Sequence, residues 1–330
     1  MNRICLYYRR EPERNRWVPG DRFVRPLVRR IIRGRPRPGG IDKVFINLCL
    51  GLDRLGQHYE VNLPFEQLRD DDRVGVLGVG RYSLVGYDRP NPIVAGIGLM
   101  THPSEWPSLL ADYPVAFYLQ HSAWANDIYK PFFGEHCRIW PVGIDTDAWQ
   151  PIERARKTFD FLIYDKIMWN REHEGAGLID GIRHGLNARN LTSMELRYGA
   201  YSEDEYKHAL ARCRAMIFLC EHESLGIAYL ECLATGTPIL AWDQGRYLDP
   251  CCAQWEQPEV PATSVPYFDA RCGERFADIA QFPAKLDVFL DRIEAESFRP
   301  RDYVLETLTL EKSAQDFIAI VEEARKRGAR

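Results

Sequence analysis

Short, densely apolar runs alternate with helix-period stretches along most of the chain. Ile4–Tyr8, His58–Leu63, Val74–Gly78, Pro92–Gly98 and Val115–Leu119 are rich in β-formers, and Ile139–Val142 is a further candidate. The runs that are apolar at successive positions suit strands buried on both faces. Between the first two, Val44, Leu48, Leu52 and Leu55 recur at spacings of four, four and three. That marks one helical face, with Gly56 as its stop. The second half repeats this grammar: Phe159–Tyr164, Met194–Tyr198, Ala215–Cys220 and Thr237–Trp242 read as strands, and Ser202–Arg212, Leu225–Ala234 and Leu308–Arg327 as helices. Strands alternating with helices predict βαβ units and parallel sheets. The two α/β halves join near Pro141–Pro151. Ligands of open parallel sheets sit beyond the strands' carboxyl ends, so the loops there, facing a cleft between the halves, are where chemistry is expected.

A length of 330 residues with 45% apolar content suits about two domains. No apolar run approaches the ~20 residues of a membrane span. The N-terminus carries too short an apolar stretch for a secretory signal, so a cytoplasmic location is expected. Nine scattered cysteines without a C-x-x-C read as small buried hydrophobes. Cys220 and His222 lack the second pair that a structural metal would need. The net charge of −4 hides an asymmetry: residues 1–43 hold thirteen basic and four acidic residues, +9, and the remainder carries −13. Asp21–Gly34 interleaves apolar pairs with Arg22, Arg25, Arg29, Arg30 and Arg33. This is a helix period with a basic face, suited to an anionic membrane, to an acidic acceptor or diphosphate, or to packing on the core with its arginines in water. Nucleic acid is disfavoured, because the body is acidic and no recognition motif appears.

The most informative stretch is Ala215–Trp242, which reads strand, acidic loop, helix, glycine turn, strand. Ser224 and Gly226 stand where the helix begins, so its free N–H groups can face a phosphate. Glu223 precedes them and Glu231 follows within the helix. Two carboxylates beside a phosphate site need other partners, and sugar hydroxyls donate well to carboxylates. Glu223-x7-Glu231, with Gly226 inside it and Gly236-Thr237-Pro238 after it, resembles the E-x7-E segment of retaining GT-B glycosyltransferases of the family 4 type. Further segments are similar in the same order. Pro38-Gly39-Gly40 resembles the family's Gly-Gly loop, Pro141–Asp145 its interdomain crossing (with Val142 where the family has Asn), and Tyr198–Tyr206 the loop beside the nucleotide base.

The resemblance implies two Rossmann-like domains facing across a cleft: an acceptor-side domain over 1–145, a nucleotide-sugar domain over 146–305, and a helix over 306–330 packing back on the first. It implies a metal-independent, cofactor-free enzyme. The enzyme would move a hexose from a nucleoside diphosphate sugar, UDP- or GDP-linked, to a hydroxyl acceptor, lipid-linked in many relatives. That places it in cell-surface polysaccharide or glycolipid synthesis, with 9–37 contacting the inner face of the membrane. His121 and Glu223 take the catalytic positions. Gly39, Gly40, Lys166, Arg171, Tyr201, Leu225, Gly226, Ile227 and Glu231 take the donor-binding ones, with the family's Arg and Lys exchanged at Lys166 and Arg171. His102, also at a strand end, is the rival to His121. Asp70 and Asp72 form the D-x-D that a metal-dependent transferase would use, or else a solvated turn. The alternatives are a nucleotide-sugar epimerase on the same architecture and a non-catalytic transferase-like binding protein.

Overall fold

The computed structural model describes residues 3–12, 39–151, 157–169, 171–250, 255 and 260–328. The basic segment 21–34 and the pair Cys251-Cys252 lie outside them. Six parallel strands form the first sheet: β1 (Ile4–Tyr7), β2 (Tyr59–Val61), β3 (Arg73–Val76), β4 (Ile93–Gly96), β5 (Val115–Gln120) and β6 (Cys137–Ile139). Their spatial order is β2-β1-β3-β4-β5-β6. Five parallel strands form the second: β7 (Phe159–Asp165), β8 (Ser193–Arg197), β9 (Cys213–Leu219), β10 (Ile239–Trp242) and β11 (Gly273–Phe276), in the order β11-β10-β9-β7-β8. Each sheet reverses its winding once, between β1 and β3 and between β7 and β9. Those reversals open the crevices where ligands bind.

Alternation along each strand feeds two cores. Ile4 and Leu6 face α1 (Gly40–Arg54), while Cys5 and Tyr7 face the opposite side with Phe65, Trp106 and Ile128. Val44, Leu48 and Leu52 are the buried stripe of α1, as their spacing predicts. The other helices are α2 (Leu109–Asp112), α3 (Ala123–Phe133), α4 (Ala176–Asn187), α5 (Glu203–Arg212), α6 (Ile227–Ala234), α7 (Phe282–Glu294), α8 (Pro300–Thr307) and α9 (Leu310–Gly328). The expected strand over Ile139–Val142 begins earlier, at Cys137, and ends at Ile139. The apolar residues beyond it belong to the crossing between domains, where Trp140, Val142 and Ile144 are fully buried.

The crossing is fixed from both sides. Ile144 N–H donates to Leu308 O at 2.7 Å. Gly143 lies so close to α9 that a Cβ there would stand 2.6 Å from Leu310 Cα. Arg301 of α8 donates to the carbonyls of Trp149 and Thr146 in the crossing and of Ala234 at the end of α6. Helix α9 then returns to the first sheet. Trp140 Nε1 donates to Ser313 O at 3.0 Å, and Phe317 meets the Trp140 ring at 5.2 Å and lies against Gly75 of β3.

Phe317 is fully buried, so Phe317→Ala should destabilise the chain by about 3–5 kcal/mol. Urea unfolding at 25 °C measures this. A loss below about 1 kcal/mol would show that α9 is not part of the first domain's core.

Candidate functional site

A cleft of about 460 Å³ opens between the carboxyl ends of the two sheets. Its floor and walls come from loops at both winding reversals. Gly39 and Gly40 end the connection from β1 and start α1, Lys166 follows β7, and Glu223–Gly226 follow β9. His121 follows β5, and Tyr198, Gly199 and Tyr201 follow β8. Leu225, Ile227 and Glu231 also line it. Arg171 is the exception among the sequence candidates. Its guanidinium turns to Asp165, with Nη1 at 2.8 Å from Oδ1, and it does not face the cleft. The attraction of a buried carboxylate six residues away decides its direction.

Glu223 is held from three sides. Its N–H donates to Thr263 O at 2.9 Å, its carbonyl accepts from Trp124 Nε1 of the opposite domain at 2.9 Å, and its carboxylate is paired with Lys166. Burial works against the Lys166 charge, but Glu223 outweighs it and holds the ammonium above the ordinary lysine range. The Lys166 ammonium also lies 4.7 Å over the Tyr198 ring. Gly226, at φ +79°, turns the chain into α6, and a Cβ there would collide with the Tyr229 ring at 2.1 Å. The first N–H groups of α6 have no carbonyl within the helix and carry its positive dipole end.

His121 is buried, and its Nδ1 lies 3.1 Å from Trp140 O. A carbonyl only accepts, so Nδ1 carries the proton and Nε2 is left as a bare acceptor. No described group bonds Nε2. Burial lowers the imidazole to about 4, with the Trp140 carbonyl opposing, so the ring is neutral at physiological pH. The rival His102 is fully buried elsewhere, its Nδ1 accepting from Ser104 N–H at 3.1 Å to cap a short 3-10 turn.

Three features escaped the sequence reading. Lys43, in the first turn of α1, reaches across the cleft to Glu231, with Nζ 2.6 Å from Oε1. A cation at the positive end of a helix dipole is unfavourable, and that misplacement was the available signal of a carboxylate partner. Ile97 lines the cleft at φ +65°, a left-handed conformation that a β-branched residue rarely adopts. It is held between Gly96 and Gly98, whose backbones bond each other at 2.9 Å. Beside Glu223, the His222 ring packs against Trp169 at 4.8 Å, Tyr247 at 4.4 Å and Trp124 at 5.4 Å, joining the two domains.

The D-x-D lies far from this cleft in the fold, ahead of β3. Asp72 is buried against Arg3 at 2.5 Å, and Asp70 is solvated with Arg89 at 3.8 Å. Among the described residues no three His, Cys, Asp or Glu side chains converge as a metal site. Cys220 donates its thiol to His222 O at 3.2 Å. Of the described cysteines, all but the half-buried Cys49 are buried and every one is a free thiol. No helix among the described residues is long and apolar enough to cross a membrane.

Two parallel-sheet domains with their strand carboxyl ends turned to one cleft define the GT-B fold. No protein-family model matches the chain, and no curated protein matches it. Solved structures do share its shape. AviGT4, a glycosyltransferase involved in avilamycin A biosynthesis, is 16% identical over 99% of this chain and 98% of its own, with a TM-score of 0.57. The lipopolysaccharide outer core galactosyltransferase WaaB is 8% identical over 98% and 100%, with a TM-score of 0.53. The pneumococcal O-GlcNAc transferase GtfA, solved with UDP and GlcNAc, is 11% identical over 78% of this chain and 58% of its own, with a TM-score of 0.55. At these identities the likeness fixes the fold.

His222 is also lowered to about 4 by burial. Its unfolded value is near 6.5, so the unfolded chain takes up the proton first and stability falls as pH drops from about 6.5 toward 4. His222→Phe keeps the stacking and removes this titration. Urea unfolding at pH 7 and pH 5 should show a smaller stability loss in the variant than in the wild type.

Proposed function

We propose that the chain is a retaining glycosyltransferase that moves a hexose from a nucleoside diphosphate sugar to a hydroxyl acceptor. The observation that carries this reading is the convergence of Gly39, Gly40, His121, Lys166, Glu223, Leu225–Ile227 and Glu231 on one cleft. Glycosyltransferase structures of the same fold, one of them holding UDP, support it. Glu231 would accept from the ribose hydroxyls and Glu223 from the hexose. Lys166 and the first amides of α6 would stabilise the diphosphate as the glycosidic bond breaks and negative charge develops on the leaving group. His121 Nε2 would accept from a hexose hydroxyl. With Arg171 committed to Asp165, Lys166 is the principal phosphate cation of this scheme. The acceptor would enter from the first domain beside Gly39 and Gly40. A lipid-linked acceptor, in polysaccharide or glycolipid synthesis, and membrane contact through 9–37 complete the proposal.

The first test is thermal stabilisation by UDP and GDP, followed by their sugars. A nucleotide at a hundred times its dissociation constant should add about 2.7 kcal/mol. Glu223→Ala and Lys166→Ala should each lower transfer to an acceptor at least 100-fold with the melting temperature largely retained, a loss of about 2.7 kcal/mol of transition-state binding. EDTA should leave transfer intact. Unchanged turnover in both variants would remove these assignments, and loss in EDTA restored by Mn²⁺ would end the metal-independent reading.

A further inference from the structure

Lys43 is distinguished among the charged groups of the cleft because it belongs to one domain and its partners to the other. Its Nζ lies 2.6 Å from Glu231 Oε1 and 3.3 Å from Glu203 Oε2. Lys207 pairs with Glu203 at 3.1 Å, and the two ammonium groups face the Trp149 ring at 5.7 and 4.9 Å. Glu231 is only 5% exposed. The groups that face it are Lys43 from α1 and Glu203, Tyr206 and Lys207 from α5. Tyr206 is committed to Ala228 O at 2.6 Å, and Lys207 to Glu203. Lys43 is therefore the one described cation in contact with this carboxylate. A carboxylate so buried is costly to ionise without such a partner.

We propose that Lys43 is a cross-domain positioning residue for the donor: paired with Glu231 across the cleft, it holds that carboxylate as an acceptor for the nucleotide's ribose, so that the ribose is bound fully only when both domains flank the cleft. This rests on the assignment of Glu231 to the ribose made above. Glu231 can serve both partners. Lys43 occupies Oε1, while Oε2 and the second lone pair of Oε1 can accept ribose hydroxyls. Burial raises the Glu231 carboxyl to about 7 even with Lys43 drawing it down. Without Lys43 it rises further, and at neutral pH the protonated acid offers the ribose a poorer acceptor. Burial disfavours the Lys43 charge, but Glu231 and Glu203 together hold it above the ordinary lysine range, so its charge persists across the range in which Glu231 titrates.

The test is UDP or GDP binding by calorimetry between pH 6 and 8.5, using the full chain as wild type, Lys43→Met, Lys43→Arg, Glu231→Gln and the Lys43→Met/Glu231→Gln double variant. Wild-type affinity should weaken below about pH 7, where Glu231 takes up its proton. Lys43→Met should move that limb to higher pH and weaken binding severalfold at pH 7, as the ionised fraction of Glu231 falls. Lys43→Arg should restore most of the loss. In the Glu231→Gln background the limb should vanish and Lys43→Met should add little. Wild-type affinity and pH profile in Lys43→Met would overturn the proposal. An equal loss in both backgrounds would also overturn it, since Lys43 would then act on the phosphates directly. If the wild type binds neither nucleotide, the donor reading itself fails and this inference falls with it.

Discussion

Parallel strands carry apolar side chains on both faces, so each sheet of this fold needs helices on both sides. The five-stranded sheet is covered by helices from its own stretch of chain, among them α4 and α7 on one face and α5 and α6 on the other. The six-stranded sheet is not. One face carries α1, and the area beside it is closed by α9, which arrives only after the other domain is built. Helix α9 packs over β3, β4 and β5 and alongside α1, and Phe317 lies against Gly75 of β3. The chain therefore crosses between domains twice, and the two crossings bond each other through Ile144 and Leu308. That double tie sets the carboxyl ends of the two sheets against one another, and the position of every cleft residue follows from it.

Within the cleft, charge is stored as pairs. Lys166 holds Glu223 inside one domain, and Lys43 holds Glu231 between domains. Baring any of these groups in a confined site would cost several kcal/mol. The nucleotide sugar of the proposed function would bring both complements, anionic oxygens for the lysine and hydroxyls for the carboxylates. Binding would then be an exchange of partners rather than an exposure of charges. The cross-domain bonds from Trp124 to Glu223 O and from Tyr267 to His121 O hold the glutamate and the histidine in register across the cleft.

How much of this was legible depended on sequence distance. The strands before and after the acidic loop, the helix from Ile227 and the glycine turn are local, and Ala215–Trp242 displayed them in order. The stripe of α1 was legible for the same reason. Lys43 and Glu231 are 188 residues apart, and no local pattern connects them. Arg171 is a cation at a strand end in either reading, and only the position of Asp165 decides where it points. The run Ile139–Val142 looked like a strand because burial in a domain crossing demands the same apolar residues as burial in a sheet. β11, α7 and α8 lie in the region after residue 250, where the family resemblance is thin.

The return of α9 also has a temporal meaning. A ribosome delivers a chain from its N-terminus, and domains generally fold as units in that order. Here residues 310–328 appear only after the whole five-stranded sheet, yet they complete the core of the sheet made first. Until then, part of the apolar face of that sheet, including the niche that Gly75 leaves for Phe317, faces solvent. The domain begun first is thus finished last, and the interval between the two events is a window in which a chaperone or another apolar surface can occupy the place of α9.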